Sequence, residues 1–112
     1  MNFDWYKELS AAVTVCDTGG VILYMNDKSI ETFTKDGGAA LIGKNLFDCH
    51  PGESAIKLEK LLESRKENIY SIEKNGIKKM IVQTPWFEKS EYKGFIEFSF
   101  ILPENIPHYI RK

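Results

Sequence analysis

Apolar and polar positions alternate along the first part of the chain in a pattern typical of a β-hairpin and a short helix. Residues 12–16 and 21–25 are two apolar runs on either side of the turn-forming sequence DTGG. Asn26 follows the second run and can cap a helix, in which Ile30 and Phe33 would share one face. These residues predict a strand, a tight turn, a second strand and a short amphipathic helix.

The region after Pro51-Gly52 has the spacing of a longer helix. Over residues 53–65 the apolar side chains fall on one stripe and the charged ones face away. The stripe consists of Ala55, Leu58, Leu61 and Leu62. We expect this helix to lie with that stripe against the core.

The last part of the chain contains three strand-like runs, over residues 69–74, 78–84 and 95–102. Asn75-Gly76 lies between the first two, and both residues tolerate the positive φ of a type I′ turn. The charged residues 88–93 predict a loop before the last strand. Pro85 should lie at a strand end, because it has no N–H to donate.

The N-terminal segment is rich in aromatic residues. Asn2 can cap a helix over residues 1–10, in which Phe3, Tyr6 and Leu9 recur at intervals of three. Phe3, Trp5, Tyr6 and Leu9 would form an apolar patch, which predicts either a lid on the sheet or a dimer face. Residues 11–102 would form the main domain, and residues 103–112 a short tail.

Composition narrows the function classes. The 112 residues suit one domain, 43% of them are apolar, and no run approaches the ~20 residues that cross a bilayer. The net charge is −1 and the basic residues form no stripe, so we expect no nucleic-acid partner. Because no apolar run is long enough to cross a bilayer, we also expect no membrane partner. The N-terminus lacks the pattern of a secretory signal, and a cytoplasmic location is therefore expected. Cys16 and Cys49 lack metal-site spacing and are predicted to be reduced, mostly buried thiols.

The order of two strands, short helices and three strands predicts an α+β fold, with helices against one face of an antiparallel sheet. Over about residues 9–102 it resembles the PAS domain family of sensory modules. The resemblance rests on Asn26, on the sequence GKNLF at residues 43–47 leading to His50-Pro51, and on Gly94. It implies a PAS-like, five-stranded antiparallel sheet with short helices on one face and an N-terminal helix, enclosing one cavity.

The last strand bears on that cavity. Ile96, Phe98, Phe100 and Leu102 alternate with a mixed set, so we expect the wholly apolar face to look towards the helices. The PAS pattern implies that this face lines a ligand pocket, and ordinary core packing without a ligand is the alternative. The predicted cavity residues are Asn45, Leu46, Cys49, His50, Leu58, Leu62, Ile81, Gln83, Ile96 and Phe98.

Two polar residues stand out among these candidates. His50 could contact a ligand, ligate haem iron, or simply bond to backbone near a helix start. In haem-binding PAS domains the axial histidine usually comes from the long helix, which His50 precedes. Gln83 would share a strand face with Ile81 and could orient a ligand, although a solvent-facing glutamine is the ordinary alternative.

The sequence can be compared with that of the light-sensing PAS subfamily, which forms a flavin-thiol adduct. In that subfamily the reactive cysteine directly follows a Gly-Arg-Asn triplet. Here Gly43-Lys44-Asn45 is followed by Leu46, and Ile96 occupies the position of a flavin-contacting glutamine. No flavin-thiol adduct is expected, and Cys49 is predicted to be a structural thiol. The cofactor is otherwise unknown.

The sequence favours a sensory role over an enzymatic one. It contains no HExxH, no Gly-x-Ser-x-Gly and no glycine-rich phosphate loop after a strand, so no catalytic residues and no metal site are predicted. Pro103 and Pro107 disfavour a C-terminal signalling helix, so the signal would leave through a protein partner, a change in self-association or the ligand itself. We expect a homodimeric PAS-like domain that binds an unidentified small molecule. A ligand-free interaction module and a haem sensor acting through His50 are the alternatives.

Overall fold

The computed structural model describes residues 3–112 and confirms the α+β fold. The strands are β1 (Ala12–Asp17), β2 (Ile22–Met25), β3 (Asn68–Lys74), β4 (Ile77–Glu88) and β5 (Glu91–Ile101). They form one antiparallel sheet in the order β2-β1-β5-β4-β3. The α-helices are α1 (Asp27–Thr32) and α2 (Glu53–Ser64), and three 3₁₀ helices cover Thr34–Asp36, Gly38–Leu41 and Leu46–Cys49.

Asn26 organises the N-terminal half of the domain. Its side-chain oxygen accepts hydrogen bonds from the backbone amides of Ser29 (2.9 Å) and Val13 (2.8 Å). Its amide nitrogen donates to the carbonyls of Tyr6 (2.8 Å) and Ala11 (2.9 Å). The residue is fully buried. The predicted cap of α1 is thus confirmed, and the same side chain also joins β1 to the N-terminal segment.

Two tight turns of the sheet have left-handed backbone at their centres, and one of them replaces a predicted loop. Asn75 and Gly76 have φ of 54° and 78°, as a type I′ turn between β3 and β4 requires. The charged loop predicted over residues 88–93 is wrong. β4 and β5 extend through most of it and turn at Lys89 and Ser90, whose φ values are 52° and 68°.

Pro85 lies inside β4 and not at a strand end, paired with Phe95 of β5. The position tolerates proline because β3 pairs with β4 only as far as Gln83. Beyond that residue one side of β4 is a sheet edge, where a missing N–H breaks no ladder.

Gly94 marks a close approach between strands. It has a φ of 140°, and a side chain there would overlap the carbonyl oxygen of Cys16 on β1. Its partner on β4 is Trp86, whose indole N–H reaches across to that same carbonyl at 3.1 Å. We infer that the bare glycine leaves room for the indole to cross β5.

The core lies between the sheet and the helices in two clusters. Cys16, Leu62 and Phe95 form one, and Ile22, Met25 and Leu41 form the other. Leu46 packs against both clusters. α2 is held to the sheet by the Tyr92 hydroxyl, which donates to the Leu62 carbonyl at 2.6 Å.

The predicted orientation of β5 is wrong. Phe95 is buried against Leu62, so Phe95 and Glu97 face the helices, and strand alternation places Ile96 and Phe98 on the outer face. The mixed face looks inward because a cavity, and not a filled core, lies beneath Glu97. Phe98 and Phe100 stack on the outer face with ring centroids 5.9 Å apart.

The N-terminal segment differs from the predicted helix. Residues 5–8 form a single turn, and the proposed cap Asn2 lies outside the described residues. Long-range bonds hold the segment instead: the Asp27 amide donates to the Lys7 carbonyl at 3.1 Å, and Tyr6 packs on Tyr24 with centroids 5.3 Å apart. No helix of the described chain is long and apolar enough to span a membrane.

Candidate ligand-binding site

A partly enclosed cavity of about 390 Å³ lies between the inner face of the sheet, α2 and the short helices. This volume is at the lower end of the range of small-molecule sites. Most of the wall is apolar, and the polar groups are few. The wall consists of Thr14, Cys16, Ile22, Met25, Phe33, Asp36, Leu41, Leu46, Cys49, His50, Leu58, Leu61, Leu62, Gln83, Phe95, Ile96 and Glu97.

A chain of three polar side chains crosses adjacent strands on the sheet side of the cavity. The amide of Asn68 on β3 donates to the side-chain oxygen of Gln83 on β4 at 2.9 Å. The amide of Gln83 donates in turn to Oε2 of Glu97 on β5, also at 2.9 Å. The three residues are neighbours in the strand register. The chain of donors thus runs from Asn68 through Gln83 and ends at the Glu97 carboxylate.

Thr14 adds a hydroxyl beside this chain. It pairs with Glu97 in the β1–β5 register, and its Oγ1 lies 2.6 Å from Oγ of the buried Ser29 on α1. That bond holds α1 against the sheet and fixes the end of the cavity near β1.

His50 is positioned by the 3₁₀ helix Leu46–Cys49. Asn45 begins this helix by accepting from the Phe47 amide at 2.9 Å, and its own amide donates to the Gly19 carbonyl at 3.1 Å. The Nδ1 atom of His50 lies 2.7 Å from the Leu46 carbonyl oxygen. Since a carbonyl can only accept, Nδ1 carries the proton and Nε2 is left as the acceptor of the neutral ring.

The two cysteines occupy different environments. Cys16 is buried on β1, and its burial raises the pKa of the thiol, so that it stays protonated near neutral pH. Cys49 is exposed, which corrects the expectation of a buried structural thiol. It is the last residue of the 3₁₀ helix Leu46–Cys49, and it borders the cavity.

The pKa of Tyr70 on β3 is affected by burial and by the Glu97 carboxylate. Burial raises the pKa of its phenol, and the negative charge of Glu97 adds to the rise. The Glu97 carboxylate therefore acts electrostatically on the cavity side of the sheet.

The predicted site residues divide into two groups. Around the cavity lie Leu46, Cys49, His50, Leu58, Leu62, Gln83 and Ile96, although the Ile96 side chain alternates to the outer face. Three others lie elsewhere. Asn45 caps a helix, Ile81 is buried on the inner face outside the cavity wall, and Phe98 belongs to the outer face.

Sequence reasoning missed Thr14 and Glu97, which supply much of the polar wall. The missing information was the strand register, since Glu97 pairs with both Thr14 and Gln83.

The side chains predicted to form a dimer face differ in how exposed they are. Phe3 and Trp5 are 81% and 56% exposed, whereas Tyr6 and Leu9 are half-buried.

The wall does not fit haem well. Its charged side chains are the carboxylates of Asp36 and Glu97, and none of the lining residues is lysine or arginine. Haem carries two propionates, which these carboxylates would repel. The single histidine of the wall, His50, does not offset that repulsion, and within residues 3–112 no group of three metal-ligating side chains occurs.

Comparison with solved structures identifies the fold. A C-terminal domain from Streptococcus mutans superposes with a TM-score of 0.70 at 17% identity, over 85% of this chain and 78% of that one. A sensory box sensor histidine kinase from Vibrio cholerae gives 0.62 at 18% identity, over 89% and 88%. The Vibrio cholerae Aer2 receptor, described as a dual PAS-heme oxygen sensor, gives 0.59 at 17%, over 83% and 95%.

No protein-family model matches the sequence, and no curated protein does so either. The structural matches therefore establish the fold. The chain has a PAS-like fold, with a five-stranded antiparallel sheet and short helices like those of the sensor domains that it resembles.

Proposed function

We propose that this domain is a sensor that binds a small, largely apolar molecule in its cavity and presents the bound state to a protein partner. The observation that carries the proposal is the cavity of about 390 Å³, walled by apolar side chains with a few convergent polar groups. Small-molecule sites typically have this composition.

The polar groups of the wall suit binding more than catalysis. Glu97 accepts from an amide, and the His50 ring is bonded to a backbone carbonyl. Neither is paired with a nucleophilic side chain in the hydrogen bonds of the described residues. Such fixed groups orient a ligand and supply specificity, which supports a non-enzymatic, ligand-binding role.

The signal would leave through apolar surface near the N-terminus. Trp5 packs on Tyr6, and Tyr6 packs on Tyr24 of β2, with both pairs of ring centroids 5.3 Å apart. Tyr6 is also tied to Asn26, which caps α1 beside the cavity. A change in α1 could thus reach the aromatic segment, and we propose that this segment contacts a partner or a second copy of the chain.

A ligand-free interaction module is the second candidate. It is favoured by the apolar outer face of the sheet, on which Phe98 stacks against Phe100 and Phe100 is 41% exposed. In that case the outer face would pair with other proteins, and the cavity would hold only solvent.

Native mass spectrometry of the protein purified from its own host distinguishes the two functions, with an absorbance spectrum of the same sample. The sensor proposal predicts an additional mass that disappears on denaturation. A clean apo mass would favour the interaction module, and a Soret band would show that haem binds despite the acidic wall.

A further inference from the structure

The charges of the cavity wall differ from those of a site for an anion. Asp36 and Glu97 contribute carboxylates, and none of the residues that line the cavity carries a positive charge apart from what His50 gains on protonation. Any bound molecule therefore meets a mostly apolar wall whose charged side chains are carboxylates.

Of the two carboxylates, Glu97 is better placed to bind a ligand in the cavity. It is half-buried on β5, whereas Asp36 is exposed at the end of a short helix. Gln83 binds Oε2 of Glu97, and Oε1 makes no hydrogen bond with any described residue. No lysine or arginine of the described chain forms an ion pair with it. The carboxylate thus retains an acceptor towards the cavity.

The hydrogen-bond chain behind Glu97 keeps it an acceptor. Asn68 donates to Gln83, and Gln83 donates to Glu97, so the amide that faces the carboxylate presents its N–H. This arrangement holds the geometry of the carboxylate on rigid strands. A partly desolvated carboxylate is bound best by a cationic donor, through a charge-assisted hydrogen bond.

We propose that the cavity selects apolar molecules that carry an amine, with the ammonium group bound by Glu97 and the apolar part packed against Leu46, Leu58 and Leu62. The inference rests on the proposed sensor function and specifies its ligand class. An amine satisfies the acceptor of Glu97, an alcohol does so more weakly, and a carboxylate is repelled.

Three matched probes test this selectivity on the full chain: 2-phenylethylamine, 2-phenylethanol and phenylacetate, which share a benzyl group and differ in the polar end. Affinities are measured by titration in NMR spectra of the amide groups. We expect the amine to bind at least about tenfold more tightly than the carboxylate.

Glu97→Gln should lower the affinity for the amine by about tenfold and leave that for the alcohol nearly unchanged. Glu59→Gln, on the exposed side of α2, makes the same charge change away from the cavity and should alter neither affinity. If Glu97→Gln does not fold, the order of the three probes on the unsubstituted chain still decides the question.

The outcomes separate the two proposals. If the alcohol and the carboxylate bind as tightly as the amine, the amine inference is overturned and the sensor function stands. If none of the three shifts resonances of the cavity residues, the amine inference is overturned, and native mass spectrometry of the purified protein decides the sensor function. Binding of the amine that is equally strong in Glu97→Gln would overturn the role of Glu97.

Discussion

Asn26 shows how a single buried amide can specify a local fold. It makes four hydrogen bonds, to two amides and two carbonyls, and connects β1, α1 and the N-terminal segment. Its role as a helix cap could be predicted from its position after a strand. Its bonds to Val13, Tyr6 and Ala11 could not, because they depend on where distant backbone lies.

Replacing Asn26 by Ala should lower the free energy of unfolding by about 2–4 kcal/mol, because backbone groups that it now satisfies would be left buried without partners. Urea denaturation measures the change. Asn105→Ala in the exposed tail is the control and should alter stability by less than about 0.5 kcal/mol. Equal stabilities of the two variants would show that Asn26 does not organise this region.

Gly94 is the second residue whose identity the fold requires. Gly94→Ala should cost at least about 3 kcal/mol, since the added carbon would overlap backbone of β1 at a φ that side chains avoid. Gly19→Ala serves as the control, because its backbone is not left-handed and the nearest atom is 3.5 Å away. Urea denaturation that gave the same midpoint for both variants would argue against this close approach.

At the scale of the elements, local patterns predicted most of the secondary structure. The hairpin turn at Asn75-Gly76, the cap at Asn26 and the helix after Gly52 each follow from chemistry within a few residues. Strand ends were harder to predict. Pro85 is tolerated because the pairing of β4 with β3 does not extend beyond Gln83. That limit depends on how the strands pair and not on the sequence around Pro85.

The orientation of β5 could not be read from hydrophobicity. The more apolar set, with Ile96 and Phe98, faces outward, and the face with Glu97 looks inward. Apolar side chains usually face the core, but a cavity needs polar groups on its wall. The failure of the pattern therefore coincides with the candidate site.

The N-terminal segment yields a prediction about assembly. Phe3 and Trp5 are exposed apolar residues, and we expect them to lie in a homodimer interface. Phe3→Ser with Trp5→Ser should shift sedimentation from dimer to monomer. These substitutions leave intact the backbone of Tyr6 and Lys7, which a truncation would remove.

The matched control for the double substitution is Phe87→Ser, which removes another exposed aromatic residue from the far end of β4. It should leave the dimer unchanged. A monomeric parent chain, or a double variant that remains dimeric, would contradict the predicted interface.

At the scale of the whole molecule, the proposed sensor function depends on the cavity. The PAS-like sheet provides a rigid floor, and the short helices leave space that side chains do not fill. The sequence predicted the class of fold from the order of elements. It could not predict the cavity wall, because Thr14, Gln83 and Glu97 are brought together only by the strand register.

The most direct test of ligand binding in this cavity is a set of intermolecular nuclear Overhauser effects, measured on protein with labelled methyl groups. The bound molecule is the one that co-purifies, or 2-phenylethylamine if the protein purifies alone. We predict contacts to the methyl groups of Leu46, Leu58 and Leu62, and none to Val15 or Val82 on the outer face. Contacts only to outer-face methyl groups, or none to the cavity leucines, would contradict the sensor function proposed for this domain.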